Sequence, residues 1–168
     1  LMQVPAEKRR IMGVVPIGSG MDFAYSMGIS TKSPQALANA LKAESIQTVD
    51  LGMITDEHGR TEFFDNTIGI GFDTVVTIRA HKLVLVKGFL MYLTAVLQTI
   101  ILNHNPARTR IETESQKWEQ DVIMLTLCNG QREGGGFMLS PNSKNDDGKL
   151  EFLTVDRLSR PAMLRLLP

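Results

Sequence analysis

The sequence predicts an α/β start followed by mostly antiparallel β structure, and three features carry that expectation. A short apolar run, a glycine turn and two helical patterns open the chain. The hydrophobic period then changes from about 3.6 to 2 near Gln47. Beyond a long apolar helical stretch, alternating segments return between polar turns.

Taken in order, Ile11 to Ile17 reads as a short buried strand, with β-branched Val14 and Val15 and with Pro16 marking where its ladder ends. Asp22 can cap a brief helix, FAYSM, which Gly28 stops. Ser33 before Pro34 starts a second helix with Leu37, Ala40 and Leu41 on one face, running out near Glu44. Val49, Leu51 and Met53 alternate, DEHGR turns the chain, and TEFFDNTIGIGF returns, so Gln47 to Phe72 reads as a hairpin. The change of period there marks a boundary between a first domain, residues 1–46, and a second, residues 47–168.

A long helix is expected from about Val84 to Asn103, followed by strands at Arg108–Glu114 and Asp121–Cys128 joined around Gln116 and Lys117. Past Gly134–Gly136 come FMLS, the polar turn NSKNDDG and a last strand, KLEFLTV; RPAMLRLLP reads as a helix beginning. The strand at Ile11 lacks the parallel neighbours it would need, so the sequence reads as part of something larger or as a chain needing a partner there.

Composition narrows the function. The 168 residues are 43% hydrophobic, enough for one good core or two small ones. Eighteen basic and eighteen acidic residues leave a formal net charge of zero, hence no long-range field to gather nucleic acid or an anionic membrane. Any anion must be met locally. The single cysteine, Cys128, excludes an internal disulfide and is read as core; it suits a reducing, cytosolic compartment. Leu1–Arg10 lacks the order of a signal peptide. Leu83 to Leu102 has the length of a membrane span, but Lys87, Gly88, Gln98 and Thr99 interrupt it, and a buried helix accounts for the same residues.

The segment Gly18-Ser19-Gly20, between an apolar run and a helix near Asp22, has the parts of an anion site: free backbone N–H groups, a hydroxyl and a helix dipole. It is neither a Walker loop nor the Rossmann fingerprint, and on local chemistry alone it is equally a simple turn with Asp22 as its cap. His58, His81 and His104 are spaced as exposed histidines rather than metal ligands. Asp65, Asn66 and Asp73, polar residues among FF, IGIG and VV, belong either in a cleft or at turns. Asn129, Gly130 and Gly134–Gly136 are candidates for lining the same cleft.

Five ordered stretches add to this. PIGSGMDFAYSMGIS resembles the P-x-G-S/T-G-N-D-F-A-R-x-x-G-I loop of the diacylglycerol kinase-like lipid kinases, a bacterial family that shares its fold with sphingosine kinases and NAD kinases. VDLGM is similar to the strand opening that family's second domain, and FFDNTIGIGFDTVVT to its F-x-N-x-x-x-x-G-F-D stretch. KGFLMYLTAVLQTI resembles its long helix, and CNGQREGGGFMLSPNSKNDDGKLEFLTV its N-G-x-x-x-G-G-G and D-D-G-x-L motifs.

The resemblance implies a partial NAD-kinase-like α/β nucleotide domain followed by a β-sandwich-like domain with a long helix, the active site lying between them. It also implies transfer of the γ-phosphoryl group of ATP to a lipid hydroxyl, with Mg²⁺ as cofactor. By position, Gly18, Ser19, Gly20 and Asp22 would contact nucleotide, and Asn66, Asp73 and Asn129 would face the substrate cleft. Asp147, with the carbonyls of Lys144 and Lys149, would hold a structural Mg²⁺; the bland alternative is a hairpin turn. The implied partners are ATP and a lipid at a membrane surface, with no nucleic acid and with homo-oligomerisation open; the implied place is cytoplasmic, peripheral to the membrane.

Departures from the pattern also count. The family's G-G-D-G-T and D-G-E motifs are absent, so no catalytic residue is assigned and these 168 residues are expected to be inactive alone. Met21 replaces the loop asparagine, Tyr25 the arginine, and Val75 stands where many members are acidic after G-F-D. The alternative from another class is a non-catalytic lipid- or nucleotide-binding module; NAD kinase-like specificity is disfavoured by the GFD, GGG and DDG matches.

Overall fold

The computed structural model describes residues 2–18, 20–29, 34–40, 42, 46–103 and 105–167. The expected mixture of helices and antiparallel sheets is present. Its first part is short on regular structure: a 3-10 turn at Ala6–Lys8, then α1 (Asp22–Ser26) and α2 (Pro34–Ala40). Ser33, Leu41 and Glu44, and the side chains of Leu37 and Ala40, lie outside what is described.

No strand forms at Ile11–Ile17, contrary to expectation. Ile11 is 73% and Ile17 87% exposed, and the segment turns at Pro16, where Ile17 N donates to Val15 O at 2.8 Å. β-branched residues favour a strand only where a neighbouring edge supplies the ladder.

The hairpin is present but shorter than expected. Strands β1 (Gly52–Thr55) and β2 (Thr61–Phe64) pair antiparallel, Gly52 opposite Phe64. The Asp56 carboxylate closes the turn by accepting from the N–H groups of His58 and Arg60, both at 2.9 Å. IGIG does not continue β2. After a corner at Asp65-Asn66, β3 (Thr67–Gly71) joins a different sheet, pairing with β5 (Lys117–Cys128).

Strand β5 is the spine of the molecule. Its first half pairs with β4 (Ala107–Glu112), and its second half pairs with β3 and with β8 (Glu151–Asp156). Burial along it changes from alternating over Lys117–Asp121 to continuous over Val122–Met124, where helices cover the sheet. The glycine run makes a second hairpin, β6 (Arg132–Glu133) and β7 (Phe137–Met138).

FDTVVTIRAHK, of which only Phe72 falls within the expected β segment, is helix α3 (Phe72–Lys82). Gly71, with φ of +88°, turns the chain out of β3, and Asp73 in the first turn and Arg79, His81 and Lys82 in the last suit the helix dipole. Helix α4 spans Phe89–Leu102, so Val84–Gly88 is a loop rather than the start of the expected helix. No described helix is long and apolar enough to cross a membrane. A last helix, α5 (Arg160–Arg165), is capped by Ser159, whose hydroxyl accepts from Ala162 N at 3.4 Å.

Two connected clusters form the core. Val76 and Ala80 of α3 pack on Ala95 of α4; Ile100 of α4, Ile123 of β5 and Met163 of α5 form the other, and Phe72 and Val96 touch both. Together α3, α4 and α5 cover one face of the β5 sheet.

Candidate functional site: a carboxyl pair at an apolar cavity

Between these helices and the sheet lies a cavity of about 160 Å³, walled by Phe72, Val76, Tyr92, Val96, Ile100 and Met163 among others. Two carboxyls, Asp73 and Glu133, interrupt its apolar lining. Asp73 comes from the first turn of α3 and Glu133 from β6, so neither position in the sequence announces the other.

Each carboxyl is held by a threonine. Thr126 Oγ1 donates to Asp73 Oδ2 at 2.6 Å, and Thr67 Oγ1 to Glu133 Oε2 at 2.9 Å. Room for Asp73 is made by Gly69, where any Cβ would overlap the Asp73 carboxyl. Burial pushes both carboxyls toward the neutral form, Asp73 above its ordinary value and Glu133 up to about 7, where the Asp73 charge adds to burial. Two carboxyls repelling each other in an apolar wall favour a state in which one of them is protonated. Burial chiefly raises the Tyr92 hydroxyl, and the charges of Glu133 and Asp22 add to it.

Asp22 does not cap α1 with its side chain. It is the first helical residue, and its carboxylate crosses to the β6–β7 hairpin, accepting from Gly135 N at 3.0 Å and pairing with Arg132 Nε at 3.0 Å. Arg132 in turn lies 3.7 Å over the Tyr25 ring. This strut connects the glycine loop to the strand that carries Glu133. At Gly20 a Cβ would stand 2.9 Å from Asp22 Oδ2, whereas at Gly18 it would meet open space. Ser19 lies outside the described residues. Met21, just before α1, is left-handed (φ 56°, ψ 32°), the only described non-glycine residue with positive φ.

Asn66 and Asn129 are brought together at the corner between β2 and β3. The Asn66 carbonyl accepts from Asn129 N and Gly130 N, both at 2.8 Å, and Asn66 Nδ2 donates to Arg132 O at 3.0 Å. Asn129, fully buried, donates from Nδ2 to the carbonyls of Asp50 and Asp65 at 2.9 and 2.8 Å. Gly130 leaves the space that the Asn66 side-chain oxygen and Ser26 Oγ occupy. Cys128, read as core, is fully buried, its thiol pushed up to about 12 chiefly by burial, and so is unreactive.

The NSKNDDG turn is not a hairpin, because β7 pairs with β6 while β8 pairs with β5. Asp147 Oδ1 accepts from Lys149 N at 3.1 Å, and Asp50 Oδ2 accepts from Gly148 N at 2.6 Å. Lys144, Asp147 and Lys149 are exposed. Among the described residues no group of three or more His, Cys, Asp or Glu side chains is placed to hold a metal. The exposed Asp147 carboxylate is a hard oxygen donor of the kind that Mg²⁺ takes together with water.

Sequence reasoning singled out Asp73 but missed Glu133. The available signal was an acid immediately before three glycines, a place where the backbone of the next residues is free to pack closely against neighbouring side chains.

Comparison with known proteins agrees with this architecture. Residues 66–168 match the YegS C-terminal NAD kinase beta sandwich-like domain, and residues 1–54 match the diacylglycerol kinase catalytic domain. A Mycobacterium tuberculosis protein named "Diacylglycerol kinase" is 31% identical over 168 residues, which are 99% of this chain and 54% of that protein. A "Probable lipid kinase YegS-like" protein of Yersinia pestis is 30% identical over 171 residues, 99% of this chain and 55% of that one. The crystal structure of a "putative diacylglycerol kinase" from Bacillus anthracis str. Sterne superposes with a TM-score of 0.65 at 25% identity, covering 97% of this chain and 55% of that one. The chain thus spans about half the length of the curated relatives it matches.

Proposed function

Because the chain belongs to the diacylglycerol kinase-like family of lipid kinases, we propose that it serves ATP-dependent transfer of the γ-phosphoryl group to a lipid hydroxyl such as that of diacylglycerol. The observation that carries this reading is the apolar cavity with two carboxyls in its wall, linked through Asp22 and Arg132 to the glycine loop. An apolar space with a few polar groups suits a substrate that is mostly hydrocarbon with one polar end.

In this reading residues 1–46 complete the nucleotide domain and residues 47–168 form the lipid-facing domain. ATP supplies the phosphoryl group, and Mg²⁺, held at the Asp147 turn by its carboxylate and the carbonyls of Lys144 and Lys149, steadies that turn. The backbone of Gly18, Ser19 and Gly20 donates to phosphate oxygens, and the Asp22 strut fixes that loop against β6. Thr67 and Thr126 each hold one oxygen of Glu133 and Asp73, leaving Glu133 Oε1 and Asp73 Oδ1 to orient a lipid hydroxyl. Phosphoryl transfer is largely positioning and charge neutralisation, and these groups supply positioning. The protein is placed in the cytoplasm, meeting its lipid at a membrane surface.

The test is incubation with labelled ATP, Mg²⁺ and vesicles containing diacylglycerol or phosphatidylglycerol, using a chain extended to the length of the relatives. Labelled lipid is expected; transfer to NAD with none to any lipid would overturn the assignment. Ser19→Ala in that chain should raise the KM for ATP about tenfold, the worth of one hydrogen bond to a charged group. The 168 residues alone are expected to give no turnover.

A further inference from the structure

The loop between α3 and α4 carries apolar side chains that nothing described covers. Leu85 is 97% and Val84 82% exposed, and Leu90, in the first turn of α4, is 63% exposed. On either side stand the exposed ammonium groups of Lys82 and Lys87, and no ion pair joins either to a described residue. Leu83 packs into the α3–α4 cluster with Val76, Ala80 and Ala95, so the loop is anchored at one end while its tip is free.

Two adjacent apolar side chains at a tip, flanked by lysines, form the pattern of an interfacial anchor: hydrocarbon below, cations at the level of lipid phosphates. The zero net charge means that attraction to an anionic surface has to come from local groups such as these. A second copy or a protein partner would more commonly meet a broad apolar patch than a narrow tip between two like charges. The same two helices also carry the walls of the cavity, through Phe72 and Val76 on α3 and Tyr92, Val96 and Ile100 on α4.

We propose that residues 82–90 dock the protein on a bilayer containing anionic phospholipid, with Val84, Leu85 and Leu90 entering the acyl region and Lys82 and Lys87 meeting the headgroups. This rests on the lipid-kinase reading only for its purpose, since binding is measured without turnover. The protein would be sedimented with vesicles of phosphatidylcholine alone and of phosphatidylcholine mixed with phosphatidylglycerol. Wild type should prefer the anionic vesicles, and Leu85→Asp should weaken that binding by about ten- to a hundredfold, the burial of one leucine side chain. Lys82→Gln with Lys87→Gln should abolish the preference for phosphatidylglycerol while leaving binding to phosphatidylcholine unchanged. Thermal melts of both variants should match wild type, and transfer to detergent-dispersed diacylglycerol should be unaltered in the extended chain.

Vesicle binding of Leu85→Asp equal to wild type would overturn the proposal, as would a lowered melting temperature showing that Leu85 is covered, or a change of oligomeric state showing that a second copy covers it. Absence of lipid phosphorylation by wild type, with vesicle binding intact, would sink the kinase reading and leave the docking loop standing.

Discussion

Ile11–Ile17 and Val122–Cys128 are similar as sequence and opposite as structure. Both are apolar and rich in strand-forming residues. The first is mostly exposed and irregular; the second is paired on both edges, covered by helices and holds Thr126 against Asp73. Their difference teaches that apolar composition proposes a strand, while neighbouring edges and a covering layer make one. It also locates the chemistry, since burial raises a carboxyl only where the surrounding structure is packed densely enough to exclude water.

The comparison is broken most forcefully by trimming one side chain in each segment. Ile123→Ala, in a residue 4% exposed, should cost about 2–5 kcal/mol and lower Tm by roughly 5–15 °C. Ile17→Ala, at 87% exposure, should change stability by less than about 0.5 kcal/mol. Equal effects at the two positions would mean that Ile11–Ile17 is packed after all.

A smaller effect tests the carboxyl pair. Glu133 is raised from an ordinary value of 4.5 to about 7, so the folded state holds this proton more tightly than the unfolded chain. The resulting stability is complete below about pH 4.5 and declines as pH rises toward 7; Asp73, also raised, acts with the same sign. Glu133→Gln keeps the shape without the titration. Its Tm should equal that of wild type near about pH 4 and exceed it above about pH 7.5. A Tm difference that does not vary with pH would exclude the buried, charge-coupled carboxyl.

The smallest effect concerns Met21. A left-handed conformation costs most side chains roughly 1 kcal/mol but is tolerated by asparagine, the residue that lipid-kinase loops of this pattern carry there. Met21→Asn should therefore raise Tm by about 1–3 °C, read by calorimetry. A lower Tm would show that the methionine side chain, and not the backbone, decides this position.

Much of the fold was legible in the residues. The DEHGR turn, the positions of β4 and β8, the second half of β5, the end of α4 and the start of α5 followed from periodicity and turn chemistry, whereas Leu51 and Met53, expected on the apolar face of β1, are exposed. Helix α3 was missed because FDTVVT carries four β-branched residues, whose propensity is outweighed by packing of Val76 and Ala80 on α4. The start of α4 was misplaced because apolar Leu83–Val86 continues its pattern, although Gly88, with φ of +63°, separates the two. Asp22 was read for its position before a helix, a local cue, whereas its carboxylate is claimed by Arg132 and Gly135 from far along the chain.

By itself, then, the sequence determined which local structures were available: where the chain turns, which segments alternate, and the ordered motifs that mark its family, because these depend on neighbours along the backbone. Only the tertiary structure decided which strands find edges, that Asp73 and Glu133 face one apolar cavity, and that Val84 and Leu85 remain uncovered. Burial and charge proximity depend on distances through space, and residues distant in sequence acquire them only when the sheet and helices close around them.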